Sequence, residues 1–121
     1  MTIFRKEDLA ELYNPGVVSR QLLTPDSTPE ARVTLTEVRL DPGAVQPRHV
    51  HEASEQIWYA VRGDGTLLLA DGREAPFCCG DVVRFAPGEI HGLLNGGEGD
   101  FVYFSVTSPP LRFDSAYRDR A

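Results

Sequence analysis

The sequence predicts an all-β protein, either a barrel or a sandwich of two packed sheets. Short apolar stretches recur along the chain, and several of them alternate apolar and polar residues with a period of two. Turn signals rich in glycine, proline, asparagine and aspartate separate these stretches. Many short strands with little helix between them are typical of barrels and sandwiches.

Length and composition indicate one globular domain. The chain has 121 residues, of which 41% are hydrophobic and 25% are charged, the composition of an ordinary globular protein with a core of its own. No internal repeat or linker divides it. We therefore expect a single domain over residues 1–121, with an N-terminal segment at 1–30, a barrel core at 31–108 and a C-terminal tail at 109–121.

The N-terminal segment begins with a predicted helical turn over residues 5–13, because Leu9, Leu12 and Tyr13 fall on one side of a helix. Asn14-Pro15-Gly16 stops this turn. The predicted strands cover residues 17–23, 31–40, 44–51, 56–61, 66–70, 82–85, 90–94 and 101–107.

Two further segments of the chain carry local signals. Asp71-Gly72 is a hairpin signal of the type that favours positive φ, and residues 76–79 lead into a turn at Gly80-Asp81. The tail becomes polar after residue 110, and we expect it to lose order near residues 118–121.

The charge balance bears on the partners of the protein. With 18 acidic and 12 basic side chains the net charge is −6, which disfavours nucleic acid and anionic membranes as partners. No stretch resembles a signal peptide or approaches the roughly 18 apolar residues of a membrane span, so we expect a cytoplasmic protein. Cys78 and Cys79 are neighbours that point to opposite faces of a strand, which excludes a disulfide framework.

The three histidines of the chain are the candidate metal ligands. His49 and His51 lie two residues apart, which on a strand places both imidazoles on one face, and His91 follows in a later strand. Imidazole ligands favour a first-row transition metal over Mg²⁺ or Ca²⁺. We therefore expect one divalent ion, which could be Zn, Ni, Fe, Mn or Cu.

Two stretches resemble the two sequence motifs of the cupin family. The first runs from Gly43 through five residues, His49 and His51 to Gly63, and the second runs from Gly80 through five residues, Ala86-Pro87-Gly88 and His91 to Asn95. The sequence departs from the family pattern at Ala86, where proline is usual, and at Gln56, where glutamate is more frequent. The resemblance implies a double-stranded β-helix, or jelly roll. It also implies a metal site formed by His49, His51, Gln56 and His91.

The oxygen ligand has two candidates, Glu55 and Gln56. The charge of a carboxylate favours Glu55, whereas the family spacing favours Gln56, which precedes Gly63 by six intervening residues. Strand parity leaves both open, since each alternate face of residues 55–60 is apolar enough to line a barrel. With Gln56 and three neutral imidazoles the metal would keep its full +2 charge and favour an anionic ligand.

Four further residues are substrate-pocket candidates. Trp58 and Phe85 are most simply core residues, although an aromatic ring beside the metal could stack on a substrate. Arg48 and Arg84 could bind a carboxylate through a guanidinium fork. Strand parity points Arg48 away from the face of its neighbour His49, which favours a structural ion pair for it.

The function that these residues favour is a metal-dependent enzyme acting on a small anionic metabolite, with the reaction type open among dioxygenase, isomerase and lyase. The alternatives are a non-catalytic protein that binds a small molecule or sugar acid, and a structural zinc site. The glutamine in the ligand set is similar to that of small pectin-degradation cupins that linearise ketouronates, whose tail pattern is loosely met by Ser105, Thr107 and Arg112. We also expect a homodimer, from the resemblance and from the apolar content of both faces of residues 56–61. Val17 and Val18 are candidates to pair with the sheet edge of the partner.

Overall fold

The computed structural model describes residues 1–117 and 119–120 of the chain. Short 3₁₀ helices occur at Lys6–Asp8, Ala70–Gly72 and Asp114–Ala116. The strands are β1 (Ala10–Asn14), β2 (Val17–Leu23), β3 (Thr34–Leu40), β4 (Val45–His49), β5 (Glu55–Arg62), β6 (Asp64–Leu69), β7 (Glu74–Cys78), β8 (Val82–Phe85), β9 (His91–Leu94), β10 (Phe101–Ser108) and β11 (Asp119–Arg120).

The strands form two antiparallel sheets. The larger has the order β11-β1-β2-β3-β10-β5-β8, and the smaller has the order β4-β9-β6-β7. Side chains from the inner faces of both sheets form one buried core, with Trp58 and Tyr103 from the larger sheet and Leu67, Phe77 and Leu93 from the smaller. The predicted jelly-roll fold is confirmed.

Strand β5 shows how the alternation of side chains positions the site. Gln56, Trp58 and Ala60 are buried, whereas Ile57 and Tyr59 between them are exposed. The face that carries Gln56 is therefore the inner face, a choice that the sequence pattern left open.

The N-terminal segment corrects part of the prediction. The expected helical turn exists but ends at Asp8, and residues 10–13 belong to β1 instead. Leu12 is buried in register with Ser19 of β2, and the hairpin turns at Gly16, where φ is +72°. A helix of this length is marginal on its own, so pairing with β2 prevails over the helical spacing of the leucines.

Strand β2 also corrects the expected dimer contacts of Val17 and Val18. It lies between β1 and β3, and Val18 is in register with Tyr13 on one side and Arg39 on the other. Val17 is buried in the core. Since the backbone of this strand is already paired within the chain on both sides, the prediction that these residues pair with a partner was wrong.

In the smaller sheet the predicted hairpin turn is confirmed, whereas one strand was not predicted. Asp71 and Gly72 have φ values of +59° and +69°, as the predicted hairpin requires, and join β6 to β7. Strand β7 itself was not predicted, because Pro76 interrupts its sequence. Proline is tolerated there because β7 is the outer strand of its sheet.

The C-terminal end returns to the larger sheet. Asp119–Arg120 forms β11 and pairs with Leu12 and Tyr13 of β1. We expected residues 118–121 to lose order, but residues 119–120 form a short strand. Residues 118 and 121 lie outside the described residues. Among the helices of the described residues, none has the length and apolar character needed to cross a membrane.

Candidate metal centre

The three histidine rings converge at one place between the two sheets. The ring centroids of His49 and His91 are 4.3 Å apart, and those of His51 lie 5.0 and 5.2 Å from the other two. One ring nitrogen from each residue lies within 4.8 Å of those of the others. Three imidazole nitrogens this close to one another form a donor set that could hold one metal ion.

The hydrogen bonds of the rings leave the correct nitrogens available. Nδ1 of His49 lies 2.8 Å from the carbonyl oxygen of Pro47, and Nδ1 of His91 lies 2.9 Å from that of Glu89. Because a carbonyl only accepts, both Nδ1 atoms carry the proton and both Nε2 atoms keep a lone pair. Within the described part of the chain, Nε2 of His51 and of His91 are buried without a hydrogen-bond partner. Such orphaned atoms fit a metal ion at this point.

The backbone around the histidines fixes their separation. His49 is in register with His91 across β4 and β9. Gly92 follows His91, and a Cβ there would lie 2.7 Å from the carbonyl oxygen of Gln46. Glycine at this position therefore lets β4 approach β9 closely enough for the two imidazoles to meet.

His51 lies just beyond the end of β4 at His49, so the period of two that predicted a shared face applies only in part. Its carbonyl oxygen accepts a hydrogen bond from the amide of Gly88, at 2.9 Å. Its ring also contacts the edge of Phe113, with centroids 5.9 Å apart. Contacts distant in sequence therefore bring the His51 ring to the site.

Burial keeps two of the imidazoles in the form that binds metals. Desolvation, with smaller contributions from His49 and His51 nearby, lowers the pKa of His91 to about 4. Desolvation also lowers the pKa of His51, with a smaller contribution from His49. At neutral pH both rings are uncharged and keep the lone pair that a metal ion requires.

Gln56 lines the same cavity as His49 and His51 and is 4% exposed. Its Nε2 donates to Oγ1 of Thr107 at 2.9 Å, and its Oε1 accepts from the indole nitrogen of Trp58 at 3.1 Å. An amide oxygen has two lone pairs, so one remains for a metal. Glu55 faces the opposite way, where its carboxylate accepts from Nε of Arg84 at 2.6 Å.

A cavity of about 330 Å³ adjoins the histidines. It is lined by Asn14, Val17, Ser19, Thr36, Val38, Val45, Gln46, Pro47, Arg48, His49, His51, Gln56, Trp58, Tyr103, Ser105, Phe113, Ala116 and Tyr117. A volume of this size is typical of a pocket for a small molecule. His49 and His51 thus stand at the wall of a cavity, with the His91 ring beside them, as in a site that leaves coordination positions open to a ligand.

The family assignment follows from comparison with known proteins. Residues 36–107, more than half of the chain, match the sequence model of the cupin domain. The chain belongs to the cupin family.

Three similar proteins place this cupin among its relatives. An oxalate-binding protein from Thermotoga maritima is 32% identical over 69 residues, which are 57% of this chain and 56% of that protein. The matched stretch thus spans little more than half the length of that relative. The structure of KdgF from a Halomonas species has a TM-score of 0.76 at 26% identity and covers 94% of this chain and 99% of that one. The polyketide cyclase RemF from Streptomyces resistomycificus has a TM-score of 0.74 at 28% identity, over 90% and 79% of the two chains.

Of the four pocket candidates of this cupin, two line the cavity and two do not. Trp58 lines the cavity. Arg48 also borders it, but its Nε donates to the carbonyl of Leu69 at 2.8 Å. Phe85 is buried and stacks on the His91 ring, with centroids 4.5 Å apart and an interplanar angle of 13°. Arg84 lies on the outer face with Glu55.

Several cavity residues escaped the sequence analysis, namely Ser19, Gln46, Tyr103, Phe113 and Tyr117. A signal for Tyr103 existed in the alternation along β10, where Phe101, Tyr103, Ser105 and Thr107 are all buried. Phe113 and Tyr117 had no such signal, because they follow Pro109-Pro110 in a segment without regular periodicity.

Proposed function

We propose that this chain is a metal-dependent cupin enzyme that acts on a small anionic metabolite. The observation that carries the proposal is the convergence of three imidazoles, two of them at the cavity wall, with buried Nε2 atoms of His51 and His91 that have no partner among the described residues. His49, His51, His91 and Gln56 would hold the ion. A divalent ion bound there would act as a Lewis acid that polarises an oxygen atom of the substrate.

The residues of the chain prepare the site for this chemistry. The carbonyls of Pro47 and Glu89 hold the His49 and His91 rings in one tautomer, so that Nε2 of each ring would be available to an ion. Trp58 and Thr107 fix the amide of Gln56 in one orientation. Preorganised ligands of this kind lower the cost of binding an ion.

An anionic substrate is favoured by the charge of the proposed ligand set. Three neutral imidazoles and a neutral amide leave the +2 charge of the ion uncompensated by the protein. A carboxylate would supply the missing negative charge and occupy open coordination positions. The name of the Thermotoga maritima relative, an oxalate-binding protein, agrees with a small anionic ligand.

Non-catalytic binding of a small molecule or sugar acid is the second candidate. It is favoured by the cavity wall, which in the described part of the chain contains no aspartate or glutamate that could act as a general base. An ion and a ligand could then be held without turnover.

Metal analysis combined with turnover assays separates the two. The purified protein is assayed for bound first-row metals, and the metal-loaded form is tested for consumption of O₂ and of a panel of small carboxylic acids. Stoichiometric metal with turnover of at least one acid supports the enzyme. Full metal occupancy without turnover favours the binding protein, and unfolding on addition of a chelator would favour a structural ion.

A further inference from the structure

The cavity has a second polar region, away from the histidines, formed by Ser19, Gln46, Tyr103 and Tyr117. We call these four residues the distal cluster. The hydroxyl of Tyr103 donates to Oε1 of Gln46, and Nε2 of Gln46 lies 3.4 Å from the hydroxyl of Tyr117. Tyr117 also hydrogen-bonds Ser19. All four side chains line the cavity.

Strand register places Tyr103 of the distal cluster at a defined distance from Gln56, the proposed oxygen ligand. Gln56 is in register with Thr107, Trp58 with Ser105, and Ala60 with Tyr103. Tyr103 is therefore four residues along β10 from the level of Gln56, about 13 Å between the backbone positions at roughly 3.3 Å per residue. Trp58, Ser105 and Thr36 form the level between the two ends.

The distal cluster is polar but uncharged. Burial raises the pKa of both Tyr103 and Tyr117, so their hydroxyls stay protonated at neutral pH. Hydroxyl and amide groups both donate and accept hydrogen bonds, and so match a ligand hydroxyl or carbonyl.

No cation stands ready at this end of the cavity. Apart from the histidines, Arg48 is the one charged residue of the cavity wall in the described part of the chain. Its guanidinium is directed to backbone, with Nε 2.8 Å from the carbonyl oxygen of Leu69 and a terminal nitrogen 3.4 Å from that of Arg73. A carboxylate beside the tyrosines would thus be desolvated without a counter-charge, which is unfavourable.

The volume of the cavity indicates a ligand larger than oxalate. Its 330 Å³ correspond to about eleven water molecules at roughly 30 Å³ each. Oxalate, the smallest diacid, would occupy the metal end alone and leave the distal cluster in contact with water.

We propose that the ligand is a monocarboxylate whose acid end binds the metal and whose far end carries uncharged hydroxyl or carbonyl groups that hydrogen-bond the distal cluster. This inference rests on the proposed metal-dependent function, whose substrate class it specifies. Tyr117 is then a specificity-determining residue, because its hydroxyl is part of the surface that receives the far end.

D-gluconate and D-glucarate form a matched pair of probes. They share a hydroxylated chain with a carboxylate at one end, and differ in whether the other end is a hydroxyl or a second carboxylate. Binding of each acid, and of oxalate as a probe of the metal end alone, is measured by calorimetry on the metal-loaded and the metal-free protein. We expect the metal-loaded protein to bind gluconate at least about tenfold more tightly than glucarate, since the distal cluster offers no cation.

Two variants test whether the preference for gluconate depends on the distal cluster. Tyr117→Phe removes one hydroxyl and should weaken gluconate binding about two- to tenfold while leaving oxalate unchanged. Tyr59→Phe is the matched control, because Tyr59 is exposed on the outer face. It should change neither affinity.

The outcomes distinguish this inference from the proposed function. Oxalate binding that requires the metal, together with glucarate binding as tight as gluconate or no gluconate binding, would overturn the inference alone. Equal weakening of oxalate and gluconate by Tyr117→Phe would also overturn it. If none of the three acids bound the metal-loaded protein, the proposed function would fail and the inference with it. The comparison of gluconate with glucarate uses the wild-type protein, so it stands even if Tyr117→Phe does not fold.

Discussion

The two faces of β5 differ in almost every physical respect although their residues alternate along one strand. The inner face carries Gln56, Trp58 and Ala60, all buried, and borders the histidines. The outer face carries Ile57 and Tyr59, both exposed, and Glu55, which pairs with Arg84.

This contrast shows that position decides which of two neighbouring side chains reaches the cavity. Glu55 has the stronger metal-binding group, yet its carboxylate is directed away from the cavity. Gln56 has the weaker group, but its amide is held by Thr107 and Trp58 at the cavity wall. A side chain must reach the cavity before its affinity for a metal matters, so we propose Gln56 as the oxygen ligand.

The largest effect is expected from the removal of an inner ligand. His51→Ala should abolish stoichiometric metal binding, with an affinity loss of at least about 100-fold, because one of three converging imidazoles is lost. The β-sheet circular dichroism should remain. Metal content by elemental analysis checks this, with Arg84→Ala on the outer face as the control. Retained metal in His51→Ala would contradict the assignment.

Trp58 and Tyr59, neighbours on opposite faces of β5, test whether the two faces contribute differently to the free energy of unfolding. Trp58 is 1% exposed and Tyr59 is 46% exposed. Trp58→Ala should lower the free energy of unfolding by about 3–5 kcal/mol through loss of buried contacts. Tyr59→Ala should lower it by about 1 kcal/mol or less. Urea unfolding measures both, and similar costs for the two variants would show that the faces are not energetically distinct.

Exchange of charge on either face tests the oxygen ligand. Gln56→Glu should retain the metal but weaken oxalate binding at least about tenfold, because a carboxylate at the ion repels an anionic ligand. Glu55→Gln should change neither quantity. Calorimetry on the metal-loaded variants measures both, and the reverse result would assign the ligand role to Glu55.

Protonation of His91 should make the stability of the metal-free protein depend on pH. Its pKa falls from 6.5 to about 4 on burial, so the unfolded chain binds a proton that the folded chain does not. Stability should therefore fall as the pH is lowered from about 6.5 towards about 4. Urea unfolding at several pH values measures the slope. His91→Gln should flatten it, and an unchanged slope in that variant would place its origin elsewhere.

The smallest effect is expected from a substitution on the outer face, and it concerns the self-association of the protein. Val82 is 64% exposed and is in register with Tyr59, so an apolar patch faces outward. We propose that this patch is covered in a homodimer. Val82→Glu should then weaken self-association about tenfold in sedimentation experiments. Glu74→Gln is the control, because Glu74 is exposed on the other sheet. A wild-type monomer at micromolar concentration would reject the proposal.

The sequence alone determined the strands that carry the site, the turn at Asp71-Gly72 and the three histidines as metal-ligand candidates. These features are local, because each depends on periodicity, turn chemistry or motif spacing within a short stretch. The same local signals predicted a helical turn through residue 13, where pairing with β2 produces a strand instead.

Only the tertiary structure decided which face of β5 points inward and which residues complete the cavity. Periodicity places Gln56, Trp58 and Ala60 on one face but does not say whether that face meets the core. The distal cluster depends on contacts between Gln46 and two tyrosines that lie 57 and 71 residues away in sequence. No local pattern contains such pairs, since they exist only after the two sheets have packed and the C-terminal segment has reached the cavity.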